Sequence, residues 1–164
     1  MAHFLEREAI ARYWSDFVDD CEAIAADDRE AGWETHLLSP GDVTPIADPP
    51  EHAGLDVLVP GETFDTLREW VEDDGRTFER TTVYRQAREN VVFLLLSLYD
   101  EPTETAIYVP MTYHVGGAEA MIEAVRSSET ITITLRPLSG DDAVQFGHDE
   151  PDLFLPPEST EDDA

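Results

Sequence analysis

The stretch Val91–Tyr99 constrains the fold of this chain more than any other part of its sequence. Alternation along a strand puts apolar side chains on both of its faces. One face carries Val92, Leu94, Leu96 and Leu98, and the other carries Val91, Phe93 and Leu95. Two apolar faces are typical of a strand in a sheet that is covered on both sides. We therefore expect this strand to be central in its sheet and to be covered twice.

Apolar periodicity and turn residues divide the chain into helices and strands. The predicted helices cover residues 6–31, 62–73 and 118–127. The predicted strands cover residues 33–38, 55–59, 77–87, 91–99, 105–113, 129–135 and 143–148. Residues 40–54 are rich in proline and are predicted to form a loop.

The order of these elements predicts an α+β fold. Strands that follow one another across tight turns imply one largely antiparallel sheet of about six to seven strands, with one long N-terminal helix and two shorter helices. We expect the short helices to cover one face of this sheet and the long helix, or a second subunit, to cover the other. Residues 1–157 are predicted to form one domain, and residues 158–164 a disordered acidic tail.

The charged residues indicate the solvent to which the chain is suited. The sequence has 37 acidic residues and 10 basic residues, all of the latter arginine, for a net charge of −27. In dilute buffer such charges repel one another and oppose the compact state. At molar salt the Debye length falls to about 3 Å, which screens most of that repulsion. The composition therefore predicts a protein of an extreme halophile, and a hydrophobic content of 41% argues for a folded core rather than disorder.

The same charges argue against two classes of partner. Nucleic-acid binding depends on clustered Lys and Arg, and an anionic membrane repels a negatively charged surface. The N-terminus has no signal-peptide pattern, and the longest apolar run is too short to span a bilayer. We expect a cytoplasmic protein that binds neither nucleic acid nor membrane. The single cysteine, Cys21, lies on the apolar face of the first helix and is predicted to be core.

Four stretches of the sequence carry a resemblance to a known family. They are residues 56–60, 91–96, 135–139 and 144–151. Over residues 10–157 the chain resembles a family of small, acidic haloarchaeal proteins known only as a domain of unknown function. The resemblance implies a halophilic protein with one domain, and it supplies no activity and no site residue.

The first candidate site is the arginine-rich strand. Strand alternation places Arg80, Tyr84 and Arg88 on one face, in line with Arg76. Guanidinium groups in such a row can bind a carboxylate or a phosphate by paired hydrogen bonds. The alternative is that these arginines pair with surrounding carboxylates and keep a sheet edge soluble, which is the commoner role of arginine on strands.

The second candidate site is a polar groove on a sheet face. Tyr108 and His114 share one face of their strand, and Arg136 lies on the polar face of another strand. If the two faces coincide, they form a pocket for a small anionic ligand. His114 also has a side chain whose usual pKa suits a general base. The alternatives are a solvated sheet face and an exposed loop histidine.

No metal site and no cofactor are predicted. His148, Asp149 and Glu150 supply ligand types for a hard metal, but their spacing matches no metal-binding signature. The sequence also lacks a P-loop, a G-x-G-x-x-G motif, an H-E-x-x-H motif and a G-x-S-x-G motif. A site assembled only in three dimensions is still compatible with these absences.

The sequence favours a non-enzymatic interaction module that associates with itself or with a protein partner. Two features motivate this prediction: the central strand needs cover on both faces, and residues 153–155 offer an apolar segment near the C-terminus. That segment can dock on a neighbouring subunit or fold back over its own core. The alternative function is a small anionic-ligand binder, or an enzyme, that uses the Arg-, Tyr- and His-lined sheet face.

Overall fold

Helices and strands alternate along the part of the chain that a computed structural model describes, residues 2–138 and 142–156. The helices are α1 (Ala2–Glu30), α2 (Gly61–Arg68) and α3 (Glu119–Ser128), and a π-helical segment, Glu69–Asp73, continues α2. The strands are β1 (Glu34–Leu37), β2 (Val43–Ile46), β3 (Gly54–Val59), β4 (Arg80–Arg88), β5 (Val91–Asp100), β6 (Thr105–His114), β7 (Ile131–Pro137) and β8 (Val144–His148). The predicted acidic tail, residues 158–164, lies outside the described residues.

The described strands form two four-stranded sheets, so the α+β class is confirmed and the prediction of one sheet is wrong. Sheet A has the order β1-β6-β5-β4, and sheet B has the order β2-β3-β7-β8. Each sheet contains one parallel pair, β1 with β6 and β3 with β7, among otherwise antiparallel neighbours. Turn residues revealed the antiparallel hairpins, whereas the two parallel pairs join strands far apart in the sequence, which no local pattern records.

Strand β5 is central in sheet A and is buried along its whole length, as predicted. Val91, Phe93 and Leu95 pack under α1 with Phe17 and Cys21. The opposite face of β5 packs in a larger core that contains the inward side chains of sheet B and buried residues of α2 and α3. The second cover is therefore mainly a sheet, where two short helices were expected. The alternation of Leu55, Val57 and Val59, and of Ile131, Ile133 and Leu135, supplies its single apolar face.

The β4–β5 hairpin illustrates how local sequence determines part of this fold. Glu89 and Asn90 have φ angles of 53° and 65°, as a two-residue hairpin turn with the favoured twist requires. β4 begins at Arg80 and not at Thr77, because Phe78 has a φ of 49° and interrupts the extended chain. Gly75 follows the π-helical segment with a φ of 68°, the left-handed conformation that commonly closes a helix.

Strand β2 is the element that the sequence did not predict. It lies within the proline-rich stretch 40–54, and Pro45 is part of it, in register with Leu55. Proline is tolerated there because β2 is an edge strand. Next to it, β3 approaches β7 so closely that a Cβ atom on Gly54 would lie 1.9 Å from the carbonyl oxygen of Thr132. Only glycine fits at that position.

The buried cysteine is part of the core, as predicted. Cys21 is fully buried under sheet A, and burial, together with the neighbouring Asp20 and Glu22 carboxylates, raises the pKa of its thiol to about 12. A thiol with such a pKa is protonated and unreactive at neutral pH.

Candidate functional site

The arginines of β4 stack on aromatic rings of the protein itself. Arg80 lies opposite Tyr99 in the strand register, and its guanidinium sits 4.1 Å from the centre of the Tyr99 ring. The Arg88 guanidinium lies 5.7 Å from the centre of the Tyr13 ring on α1. Through this cation–π contact Arg88 helps to attach α1, whereas Arg80 stacks on a ring of the neighbouring strand β5. The two guanidinium groups do not converge on a common point.

Tyr84 and Arg85, neighbours on β4, make contacts on opposite faces of sheet A. The Tyr84 ring stacks on Phe17 with the ring centres 5.9 Å apart, and its hydroxyl donates to the Asp20 carboxylate at 3.3 Å. Arg85 donates to the carbonyl oxygens of Asp152 and Leu155 at 2.6 and 2.8 Å. One side chain binds the first helix, and the other binds the C-terminal segment.

Tyr108 is buried beneath the last turns of α1, in contact with a carboxylate. Its hydroxyl and that of Tyr99 both donate to Asp28, the latter at 2.8 Å. Burial, reinforced by the Asp28 contact, raises the pKa of both tyrosines. The sequence analysis did not identify Asp28, although a signal exists. It follows Cys21 by seven residues and Ala25 by three, which places it on the apolar face of the helix.

His114 lies at the exposed end of β6 and lines a cavity of about 550 Å³ between β6 and β2. Trp14, Met111 and Thr112 are among the other residues of this cavity. Tyr108, six residues earlier on the same strand, is buried under α1 and is not part of it. The predicted Tyr108–His114 face is therefore split between a closed core and an open cavity.

Arg136 lies on sheet B, on the face that points away from sheet A. Its Nε donates to an oxygen of Asp56 at 2.7 Å, and the pair borders a polar cavity of about 260 Å³ with Thr132 and Thr134. Because β6 and β7 belong to different sheets, the structure does not bring Arg136 together with Tyr108 or His114. Ligand binding by Arg80, Tyr84, Arg88, Tyr108, His114 or Arg136 stays a prediction.

His148 packs against the C-terminal segment. Its ring centre lies 5.1 Å from that of Phe154, and its Nε2 is buried without a hydrogen-bond partner. Burial lowers the pKa of the His148 imidazole, an effect that the nearby Asp149 carboxylate opposes. Within residues 2–138 and 142–156, no group of three His, Cys, Asp or Glu side chains is placed to hold a metal ion.

The C-terminal apolar segment folds back over its own core. Phe154 and Leu155 are almost completely buried there, and the Tyr113 hydroxyl donates to the Phe154 carbonyl oxygen at 2.7 Å. Leu153, by contrast, is 42% exposed. Of the two arrangements left open by the sequence, this packing within one chain is the one observed. The segment therefore no longer argues for self-association.

A groove between β1 and α2 presents an unpaired strand edge. The Glu34 N–H donates to Glu104 O, and the Leu38 N–H donates to Tyr108 O, so even-numbered residues of this strand face β6. Successive amides of a strand point in opposite directions, and the N–H and C=O groups of Thr35 and Leu37 therefore point away from β6. In the described sheets no strand pairs with that side of β1.

Helix α2 and its π-helical continuation form the opposite wall of this groove, whose volume is about 500 Å³. Thr63, Thr66, Leu67 and Trp70 line it at the three- and four-residue spacing of one helix face. The Trp70 ring is held by His36, 4.7 Å away between ring centres, and by the Arg76 guanidinium at 4.9 Å. The result is a preformed wall of two threonines and Trp70, with Leu67 buried behind them, that faces a free strand edge.

Pro110 explains why β1 is short and why its ladder stops. In a parallel ladder the next hydrogen bond after Leu38 N–H to Tyr108 O would run from residue 110 to Leu38 O. Proline has no N–H, and Pro40 removes the following donor as well. The free edge of β6 thus carries Pro110, and the free edge strand β2 carries Pro45. Prolines at such edges commonly prevent a further strand from pairing, whereas β1 contains no proline.

The rim of the β1–α2 groove is acidic. Glu62 lines it from the first turn of α2, and both Glu62 and Glu69 are exposed. The nearest arginine of the helix, Arg68, is already bound to Asp142 at 2.6 Å. Glu34 is exposed at the start of β1 and pairs with His36 at 2.6 Å. These carboxylates give the groove a negative potential within a chain that is itself strongly negative.

Two mixed sheets, a helix layer and a groove at a strand edge define an α+β protein without an evident catalytic constellation in its described part. The chain belongs to a family of unknown function (DUF7529), whose model matches residues 4–156. None of the curated proteins and none of the solved structures compared with the chain matches it. Among the described helices, none combines the length and the apolar character that crossing a membrane requires.

Proposed function

We propose that this protein is a non-enzymatic interaction module that binds a protein partner through the groove between β1 and α2. The observation that carries the proposal is the unpaired edge of β1, which faces a wall of α2 that presents the Trp70 ring. The unpaired N–H and C=O groups of a strand edge can pair with another chain, and many proteins bind peptides in this way.

The positions of the arginines favour this function over an anionic-ligand site. Arg80 and Arg88 stack on aromatic rings, Arg85 binds two carbonyl oxygens, and Arg136 pairs with Asp56. A ligand would have to replace these contacts one by one, at positions that lie apart. We further propose a cytoplasmic protein of an extreme halophile, on the strength of the net charge of −27 and the absence of lysine.

Selection of short peptides tests the interaction with the groove. A displayed library of random linear peptides is selected against the folded protein in about 2 M KCl, where charge repulsion is screened. Binding of the enriched peptides is then measured for the wild type and for Thr66→Trp, which fills the groove from an exposed position of α2. We expect the affinity to fall by at least about tenfold, a change of about 1.4 kcal/mol.

The matched control is Thr44→Trp, because Thr44 is an exposed threonine of β2 that does not line the groove. It should leave the affinity unchanged, and circular dichroism should confirm that both variants are folded. Absence of enriched peptides, or equal binding by Thr66→Trp and the wild type, would contradict the proposed function.

A further inference from the structure

We infer that the partner contributes an extended, positively charged segment, which adds to sheet A as a fifth strand alongside β1. The inference rests on the proposed function and specifies the chemistry of the bound segment. Three observations carry it: the direction of the free β1 amides, the shape of the facing wall, and the sign of the charge around the rim.

The β1 amides define the binding mode. Thr35 and Leu37 each offer one N–H and one C=O that β6 does not use, and they are two residues apart. Only an extended segment presents its own donors and acceptors with this spacing. Such a segment would bond to the protein through every second residue, as peptides do when they add to a sheet edge. A helix would leave the Thr35 and Leu37 groups unpaired, and each of those groups that becomes buried would weaken binding.

The wall of the groove defines the side chains. Leu67 is buried at the floor, and the Trp70 ring is fixed between His36 and Arg76. An apolar side chain of the partner that points from the added strand toward α2 can therefore pack on a surface that needs no rearrangement. Preorganisation of this kind reduces the entropy cost of binding. The neighbouring Thr63 and Thr66 leave room on the helix side of the segment.

The rim defines the charge. Glu62 is exposed and lines the groove, Glu69 is exposed and precedes the lining residue Trp70, and Glu34 is exposed at the start of β1. An acidic segment, including a second copy of this chain with its net charge of −27, meets like charges on approach. A segment flanked by Lys or Arg meets opposite charges. The charge complementarity therefore selects a cationic partner over self-association.

Two displayed libraries test the charge. Both carry about eight random residues, the length of an ordinary strand, flanked on each side by a pair of Lys residues or by a pair of Glu residues. At the lowest KCl concentration that keeps the protein folded, where the rim charges are screened least, we expect enrichment from the Lys-flanked library alone. The affinity of the enriched peptides should fall as KCl is raised toward about 1 M. Glu62→Gln combined with Glu69→Gln should weaken binding, whereas Asp27→Asn, at an exposed position of α1, should not. Equal enrichment from both libraries would overturn the charge assignment.

N-methylation of the enriched peptides tests the strand addition. In an added strand every second amide of the peptide faces β1. A methyl group on one of these amides should reduce the affinity by at least about tenfold, whereas a methyl group on an amide that points away from β1 should not. An effect that does not alternate along the peptide would overturn the added strand. If Thr66→Trp blocks binding but the effect of methylation does not alternate, the partner binds in the groove without adding a strand to β1. If Thr66→Trp has no effect, both the proposed function and the strand addition are wrong.

Discussion

At the scale of single residues, His148 is a half-buried histidine with one unpaired ring nitrogen. Its Nε2 is buried without a partner in the described chain, and its ring packs on Phe154. The charged residues around the same cavity are Glu79, Arg80, Asp149 and Glu150. Burial dominates, so the imidazole has a lowered pKa in the folded state and an ordinary one in the unfolded chain. The folded state therefore binds a proton on His148 less readily than the unfolded state does.

This difference predicts a loss of stability on mild acidification. As the pH falls below the usual value of 6.5, the unfolded chain takes up a proton that the folded chain still excludes. Between pH 6.5 and pH 5 the free energy of unfolding should therefore fall more steeply in the wild type than in His148→Phe. The difference between the two slopes should be at most about 1.4 kcal/mol per pH unit. Denaturant unfolding at several pH values measures both slopes. The carboxylates titrate in both proteins, so their contribution cancels when one slope is subtracted from the other. A pH dependence of the wild type equal to that of His148→Phe would contradict this role of His148.

At the scale of elements, one carboxylate, that of Asp28, ties the end of α1 to two strands of sheet A. Asp28 accepts hydrogen bonds from Tyr99 and Tyr108, which lie on the neighbouring strands β5 and β6. Asp28→Ala leaves both hydroxyls without this partner, and we expect the free energy of unfolding to fall by about 2 kcal/mol. Chemical unfolding in the salt that keeps the protein folded measures the loss. Asp27→Ala removes the same charge from an exposed neighbour and should cost little. Equal losses in the two variants would contradict the assigned role.

The elements also show which parts of the fold were predictable. The apolar alternation of β5 correctly indicated a central strand with two covers, and turn residues correctly placed the β4–β5–β6 hairpins. The sequence did not reveal which elements form the second cover of β5. That cover depends on the pairing of β3 with β7, in which Gly54 lies opposite Thr132, 78 positions later in the sequence. β2 was missed because Pro45 resembles a loop signal. Propensities describe each segment alone, whereas long-range pairing is decided by the whole core.

The candidate groove was beyond sequence reasoning for a related reason. Leu67 and Trp70 were recognisable as the inward face of a helix, but the same pattern describes a helix that is fully covered. The opening arises because β1 stops where Pro110 lacks an N–H, and because α2 approaches its free edge. Both facts depend on which strand lies beside β6. In the arginine strand, Arg80, Tyr84 and Arg88 occupy alternate positions of β4, as predicted. The prediction was wrong for Arg76, which precedes β4 and stacks on Trp70.

At the scale of the whole molecule, the net charge of −27 predicts salt-dependent stability. Unscreened repulsion among the carboxylates opposes the compact state, and it grows as the Debye length rises from about 3 Å at 1 M salt to about 10 Å at 0.1 M. We expect the thermal midpoint to fall steadily when KCl is lowered below about 1 M. Far-ultraviolet circular dichroism during heating measures it. A midpoint that is unchanged down to about 0.1 M KCl would contradict the halophilic interpretation.

A variant with fewer charges separates screening from other effects of salt. Asp16, Asp19, Glu22 and Asp27 are exposed on α1, away from the β1–α2 groove. Replacing them together by Asn and Gln removes four negative charges without touching the core. If repulsion causes the salt dependence, the midpoint of this variant should depend less steeply on KCl, and the two proteins should differ most at low salt. If salt acts instead by strengthening the burial of apolar surface, the two curves should run parallel, because both proteins bury the same core.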